Sequence, residues 1–129
     1  MVKALFDTNL LIDYLRGIDA AREELGRYAE PAISDITWME VMVGVTSDTE
    51  KGTRAFLMRF KRLPLDTKVC EAAVSLRRTH RMRLPDAIIL ASARTHGLML
   101  VTRNTRDFPP EWPGIRVPYE LPVAGAPSK

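Results

Sequence analysis

Residues 4–12 of this chain read Ala-Leu-Phe-Asp-Thr-Asn-Leu-Leu-Ile, an apolar stretch whose one charged side chain, Asp7, stands near its middle. The residues before Asp7 have the length and apolar character of a strand buried on both faces of a parallel sheet, which we predict at residues 2–6. Beyond Asp7 the apolar residues recur with helical spacing, which predicts a helix over residues 10–15. Asp7 is therefore expected at the carboxyl end of a strand, shortly before a helix.

Two further apolar stretches contain one carboxylate each. Residues 36–43 read Ile-Thr-Trp-Met-Glu-Val-Met-Val around Glu40, and residues 84–91 read Leu-Pro-Asp-Ala-Ile-Ile-Leu-Ala around Asp86. No Lys or Arg stands within four residues of Glu40, within three of Asp7 or within two of Asp86. An unpaired ionised carboxylate in an apolar site costs several kcal/mol, and local ion pairs do not explain the pattern. We therefore expect the fold to gather the three carboxylates around a divalent cation, Mg²⁺ or Mn²⁺, which prefers hard oxygen ligands.

Each acid also has a simpler explanation. Asp is a favoured helix N-cap, so Asp7 and Asp86 can serve as caps alone. Glu40 can lie on a lone exposed edge of its helix, and Asp107 can be a turn residue. These alternatives stay open for each residue taken singly, whereas the joint pattern favours a shared site.

The rest of the chain continues the alternation of strands and helices. Strands are predicted at residues 2–6, 31–34, 62–65, 98–101 and 115–117, and helices at residues 10–15, 19–29, 35–45, 49–62, 67–80 and 85–96. This alternation predicts an α/β fold with a central parallel sheet of four to five strands flanked by helices. We interpret residues 1–129 as a single domain whose C-terminal tail, proline-rich from about residue 109, is extended.

Ligands of open parallel sheets gather outside the carboxyl ends of the strands. Asp7 stands at such an end, and residues 102–107 follow the predicted strand at 98–101. Asp86 opens a helix, where the backbone dipole favours an anion. Together with Glu40, these elements are expected to converge on one pocket at the top of the sheet.

Composition limits the class of protein. A length of 129 residues fits one domain, and no apolar run approaches the ~18–20 residues that span a bilayer. The start of the chain lacks the pattern of a signal peptide, so we expect a cytoplasmic protein without a membrane partner. Cys70 is the only cysteine, which excludes an intrachain disulfide, and its apolar neighbours predict that it is buried.

The net charge of +3 is weak evidence for a polyanionic partner. The basic residues are nevertheless grouped in two segments, residues 54–62 and residues 77–83. Such groups are either solvated helix faces or contacts to phosphate beside an acidic pocket.

Four segments carry a resemblance to a known family: residues 7–9 (Asp-Thr-Asn), 38–44 (Trp-Met-Glu-Val-Met-Val-Gly), 84–91 and 101–108 (Val-Thr-Arg-Asn-Thr-Arg-Asp-Phe). In this order and spacing they resemble PIN-domain ribonucleases, and in particular the VapC-type toxins of bacterial toxin–antitoxin pairs. The resemblance implies a three-layer PIN-like sandwich and a metal-dependent endoribonuclease. It also implies that Asp7, Glu40 and Asp86 hold one or two Mg²⁺ or Mn²⁺ ions.

The resemblance extends to the residues around these acids. Thr8 or Thr102 would offer a hydroxyl to the site, and Asn9 would brace Asp7 by hydrogen bonding. Many PIN nucleases have an acid where this chain has Asn104. This departure weakens the case for a tightly held second metal and leaves Asp107 as a candidate outer ligand. With Asp7, Glu40 and Asp86, Asn104 completes the expected catalytic set.

The implied partners are an RNA substrate, a cognate antitoxin and a second copy of the chain. Homodimerisation is also suggested by the apolar residues of the helices near 10–15 and 36–45. The candidates for holding the RNA backbone are the arginines of the two basic segments, Arg54, Arg59, Arg78 and Arg81.

Two other functions are compatible with parts of the pattern. A phosphatase that forms an aspartyl-phosphate would need a second Asp at position 9, where this chain has Asn9. A non-catalytic, PIN-like RNA-binding module would be expected to have lost some of the three acids, and all are present. Metal-dependent RNA cleavage that Asp7→Asn abolishes would separate the enzyme from the module.

Overall fold

The computed structural model describes residues 3–121. In this part of the chain the strands are β1 (Ala4–Phe6), β2 (Ala32–Ser34), β3 (Lys61–Leu63), β4 (Met99–Val101) and β5 (Ile115–Arg116). The helices are α1 (Thr8–Leu15), α2 (Asp19–Leu25), α3 (Asp35–Val43), α4 (Glu50–Leu57), α5 (Thr67–His80) and α6 (Leu84–Thr95). No helix among these is long and apolar enough to cross a membrane.

The strands form one five-stranded sheet in the order β3-β2-β1-β4-β5, and every pairing is parallel. Leu5, in the central strand, is in register with Ala32 on one side and with Leu100 on the other. The predicted α/β fold with a parallel sheet of four to five strands is confirmed.

Alternation along the strands creates a core on each face of the sheet. Leu5 and Leu100 point to one face, where they pack with apolar residues of α5 and α6. Phe6 and Val101, the next residue in each strand, point to the other face and pack with residues of α1, α3 and α4. Because successive side chains of a strand alternate between faces, three-residue strands suffice to join two helical layers into a three-layer sandwich.

The carboxyl ends of the parallel strands meet at one edge of the sheet. Asp7 follows β1 and Thr102 follows β4, and the backbone N–H of Asp7 donates to the carbonyl of Val101 over 2.9 Å. The residues that leave these two strands are therefore held side by side before their side chains make any contact.

Two predicted helices are too long. The helix predicted at 49–62 ends at Leu57, because Lys61 must adopt an extended backbone to pair with Ala32 of β2. The helix predicted at 19–29 ends at Leu25, and Gly26 caps it. Glycine disfavours helix interiors, which explains the earlier end.

The segment predicted as an extended tail is more ordered than expected up to residue 121. Residues 115–116 form the edge strand β5, as the pattern at 115–117 predicted. Tyr119 is partly buried and donates a hydrogen bond to Asp13 over 2.7 Å. Residues 122–129 of the predicted tail lie outside the described part of the chain.

The prediction that Cys70 is buried is wrong. Cys70 is exposed on α5, whereas Val69 and Ala73 face the core. Neighbouring apolar residues on a helix occupy different sides of it, so apolar neighbours in sequence did not indicate burial here.

Candidate active site

Asp7 is a buried carboxylate at the junction of β1 and α1, with 5% of its surface exposed. It caps α1: its Oδ1 accepts from the backbone N–H of Thr8 over 2.8 Å. Its Oδ2 accepts from the hydroxyl of Thr102 over 2.7 Å and from the amide of Asn9 over 3.2 Å. The bracing role that the resemblance gave to Asn9 therefore has a matching contact.

Burial raises the pKa of Asp7 from 3.8 to about 6. The hydrogen bonds from Thr102 and Thr8 oppose this rise, and the charges of Asp86 and Glu40 add to it. Because desolvation penalises the ionised form, a nearby cation would stabilise the carboxylate. Asp7 does cap α1, but this hydrogen bond and the one from Thr102 compensate only part of the cost of burial.

Asp86 lies in the first turn of α6 and is also buried. Its Oδ2 is buried and has no hydrogen-bond partner among residues 3–121. The guanidinium Nε of Arg83 is 3.8 Å away, a loose local ion pair in place of the absence of local pairs expected from the sequence. The pKa of Asp86 is raised, first by burial and then by the charge of Asp107. Burial and repulsion by neighbouring carboxylates thus outweigh the opposing charge of Arg83.

Glu40 departs from expectation because it is exposed. The apolar stretch around it is not uniformly core: Val43, one turn later, is 85% exposed. Glu40 is therefore surrounded by solvent, in agreement with the simpler explanation that it lies on an exposed edge of its helix. Its carboxylate is nonetheless tied to the site, because the hydroxyl of Thr8 donates to Oε1 over 2.6 Å.

The loop after β4 supplies the fourth acid. The amide of Asn104 donates to Oδ2 of Asp107 over 2.8 Å, and the backbone N–H of Asp107 donates back to Oδ1 of Asn104 over 3.2 Å. The backbone N–H of Asn104 also donates to the hydroxyl of Thr102 over 2.9 Å. Asn104 therefore orients Asp107, and it is the carboxylate of Asp107 that acts electrostatically on Asp86.

The predicted acids thus lie within electrostatic range of one another, but they do not form a preassembled cage. Asp7 interacts electrostatically with Asp86 and Glu40, and Asp86 with Asp107 and Glu40. Across residues 3–121, no three Asp, Glu, His or Cys side chains are grouped closely enough to hold an ion between them. The donors still suit Mg²⁺ or Mn²⁺, since they are carboxylate oxygens and one of them is buried without a hydrogen-bond partner in this same range.

An ion pair beside the site was not predicted from the sequence. Asp13 on α1 is 2% exposed and forms a bidentate pair with Arg103, with N–O distances of 2.5 and 2.9 Å. The sequence contains only a weak indication of this pair. Asp13 lies four residues after Asn9, on the same side of α1, and Arg103 directly follows Thr102, so each partner lies beside a predicted site residue. The two partners are 90 residues apart in sequence.

The four candidate RNA-contacting arginines do not form one patch. Arg54 and Arg59 lie at α4, on one side of the sheet; Arg78 and Arg81 lie at the end of α5, on the other. Arg54 pairs with Glu50 over 3.1 Å. Their role in binding RNA stays a prediction.

An open groove of about 370 Å³ runs between α1, α3 and α4 to Glu40. Its lining is mostly apolar, with one cation: Ile12, Leu15, Arg16, Glu40, Val41, Gly44, Val45, Thr49 and Thr53. Beside it, Met39 and Val43 of α3 are 42% and 85% exposed. This is the apolar surface that the sequence of these helices indicated.

A parallel α/β sandwich with acidic residues at the carboxyl edge of its sheet is the arrangement expected of a PIN-like domain. Comparison with known proteins agrees with this assignment. The PIN-domain sequence profile matches residues 4–109, and the chain belongs to the PIN-domain family. It is 31% identical over 126 residues to Ribonuclease VapC10 of Mycobacterium tuberculosis, covering 92% of this chain and 94% of that protein.

The chain is also similar to chains in solved structures of toxin–antitoxin complexes. A toxin–antitoxin complex from Klebsiella pneumoniae contains a chain 47% identical to this one, with a TM-score of 0.87, covering 92% of this chain and 99% of that chain. A DNA-bound VapBC complex from Salmonella typhimurium contains a chain 27% identical, with a TM-score of 0.74, covering 90% of this chain and 96% of that one.

Proposed function

We propose that this chain is a divalent-metal-dependent endoribonuclease and the toxin of a toxin–antitoxin pair. The identity to a ribonuclease and to a chain of a toxin–antitoxin complex supports the activity and the setting. The metal dependence is supported chiefly by one observation, the two buried acids Asp7 and Asp86. Asp7 has a pKa raised to about 6, and Asp86 has a buried oxygen without a hydrogen-bond partner in the part of the chain that the structure describes.

Asp7 and Asp86 would be direct ligands of Mg²⁺ or Mn²⁺, and Glu40 a ligand or the base that positions water. Such an ion, when bound, polarises a phosphoryl oxygen, lowers the pKa of water and stabilises the leaving oxygen. The donor set fits it, and the charge of the exposed Glu40 already acts on both buried acids. Asp107 would act as an outer ligand.

The protein groups around the acids would orient and hold protons. Thr102 and Asn9 hold Asp7 Oδ2, so the direction of that carboxylate is set before any ligand binds. Thr8 restrains Glu40, whose exposed carboxylate can accept a proton from water that attacks a phosphodiester. Asn104 keeps Asp107 oriented, and together with Thr102 it would orient water or phosphate.

The proposed partners are RNA, an antitoxin and a second copy of the chain, with residues 1–129 acting as one domain. The apolar groove between α1, α3 and α4 is suited to an amphipathic segment of an antitoxin or to the apolar face of another copy. Homodimerisation is tested by sedimentation at micromolar concentration, where a clean monomer contradicts it.

An antitoxin would inhibit most directly by presenting a cation to the acidic edge. Arg is the favoured side chain, because its planar fork pairs bidentately with carboxylates. The corresponding Arg→Ala antitoxin variant is expected to bind through apolar contacts but to inhibit poorly. Equal inhibition by both forms at every metal concentration would exclude this mode.

The activity is tested with end-labelled RNA and purified protein. We expect cleavage in Mg²⁺ or Mn²⁺, none in EDTA, and none by Asp7→Asn in either metal. Asp19→Asn is the matched control, because the carboxylate of Asp19 is exposed on α2, and it should cleave as wild type does. RNA binding without cleavage in every metal would favour the non-catalytic module instead.

A further inference from the structure

Asp13 is held by three donors from outside its own helix. Besides the bidentate contact from Arg103, its Oδ2 accepts from the hydroxyl of Tyr119 over 2.7 Å. With 2% of its surface exposed, Asp13 is a buried charge that Arg103 and Tyr119 neutralise and solvate. Burying an ion pair is costly even when it is well formed, so it is weak evidence for stability on its own.

Arg103 is fastened to α1 at two points. Its guanidinium binds Asp13, and its backbone N–H donates to Oδ1 of Asn9 over 3.3 Å. Asn9 and Asp13 are four residues apart, one turn along the same side of the helix. Two attachments one turn apart set both the position and the direction of the loop that Arg103 belongs to.

The residues on either side of Arg103 each contact an acid of the candidate site. Thr102, directly before it, donates to Asp7. Asn104, directly after it, holds Asp107, whose charge acts on Asp86. A displacement of Arg103 would therefore move the hydrogen-bond donor of Asp7 and the acid facing Asp86 together.

We propose that Arg103 is a positioning residue, held by Asp13 with support from Tyr119. It aligns Asp7 with Asp107 and Asp86 in the metal site. This inference rests on the proposed metal-dependent function and adds residues outside the acidic set. It predicts that weakening the contacts of Arg103 with Asp13 and Asn9 lowers the affinity for the metal. The loss of an outer-shell contact typically lowers such an affinity by about 10–100-fold.

The fold contains a matched control. Glu24 on α2 is 3% exposed and forms a bidentate pair with Arg116, with N–O distances of 2.7 and 2.9 Å. Tyr28 donates to the same carboxylate over 2.8 Å. This second cluster has the same chemistry as the first, but in the described part of the chain the Arg116 side chain contacts none of the acids of the candidate site. Its backbone carbonyl accepts from the N–H of Thr102 over 3.0 Å, a contact of the paired strands that a change of side chain leaves in place.

The test compares Arg103→Lys with Arg116→Lys, both of which keep the positive charge and lose the planar fork. Mn²⁺ alone is titrated into each protein, and bound Mn²⁺ is measured by electron paramagnetic resonance beside the Tm. We expect both variants to lose thermal stability, but only Arg103→Lys to bind Mn²⁺ at least about tenfold more weakly. Wild-type Mn²⁺ affinity in Arg103→Lys, or an equal loss in both variants, overturns the proposal.

A milder pair keeps the test decisive if Arg103→Lys does not fold. Tyr119→Phe and Tyr28→Phe each remove one hydroxyl and leave the ion pair in place. We expect a several-fold weaker Mn²⁺ affinity in Tyr119→Phe and none of this loss in Tyr28→Phe. Equal affinities in the two variants contradict a positioning role.

Asp7→Asn separates the inference from the function on which it rests. If Mn²⁺ binding is absent from wild type or survives Asp7→Asn, the proposed metal site fails, and the inference fails with it. If binding is lost in Asp7→Asn but kept in Arg103→Lys, the metal site stands and only the positioning role is overturned.

Discussion

Asp7→Asn is expected to change how folding stability depends on pH in the metal-free protein. Folding raises the pKa of Asp7 from 3.8 to about 6, so the folded state holds this proton more tightly than the unfolded state does. Stability that is fully present below pH 3.8 is therefore lost as the pH rises through about 6. The asparagine variant has no charge to bury and avoids this loss.

The magnitude follows from the same shift. At 1.36 kcal/mol per pH unit, the buried charge of Asp7 costs wild type about 3 kcal/mol once the pH is well above 6. About half of that cost develops between pH 5 and pH 7.5. Asn cannot accept from all three donors of Asp7 at once, which costs about 1 kcal/mol per lost hydrogen bond. The change between two pH values is therefore the quantity to compare, because that loss is present at both.

The assay is urea unfolding in EDTA at pH 5 and pH 7.5. The free energy of unfolding of Asp7→Asn minus that of wild type should be greater at pH 7.5 by roughly 1.4 kcal/mol. Asp19→Asn, at an exposed carboxylate, should show no such change. Parallel pH dependences for Asp7→Asn and wild type would refute the argument that burial raises this pKa.

Three further outcomes are expected. Asp107→Asn should raise the free energy of unfolding of the metal-free protein at neutral pH, measured in urea. The change removes the repulsion that raises the pKa of Asp86, and it leaves a side-chain oxygen that can still accept from Asn104. An unchanged or lower stability contradicts the assigned repulsion between Asp107 and Asp86. Val43→Glu, at a side chain 85% exposed, should change the free energy of unfolding by less than about 0.5 kcal/mol yet weaken antitoxin binding measured by calorimetry, and intact binding would argue against the groove. Mg²⁺ should raise the Tm of wild type but not that of Asp86→Asn, and an equal rise in both would locate the ion elsewhere.

The parts of the fold that were predictable from sequence depend on local patterns. An apolar run ending in Asp7 indicated a strand followed by a capped helix. Pro85 and Gly97 bracketed α6, which begins at Leu84 and ends at Thr95. Because parallel strands end at one edge, the proximity of Asp7 to the loop after β4 followed from the order of elements alone.

The parts that were not predictable depend on which side of an element a residue occupies, or on distant pairs. Apolar residues surround Glu40 in sequence, and they cover most sides of α3, so no single face could be assigned to the core. Cys70 was misplaced for the same reason. Asp13 and Arg103 meet across 90 residues, and no local spacing reports such a pair.

The most direct test of the central claim is the position of bound Mn²⁺ in crystals, located by anomalous scattering. A metal site built from the buried acids predicts a peak in contact with carboxylate oxygens of Asp7 and Asp86, with Glu40 or Asp107 turned toward it. The peak should disappear in crystals of Asp7→Asn. Mn²⁺ bound only elsewhere on the molecule, in crystals of a protein that cleaves RNA, would contradict the account.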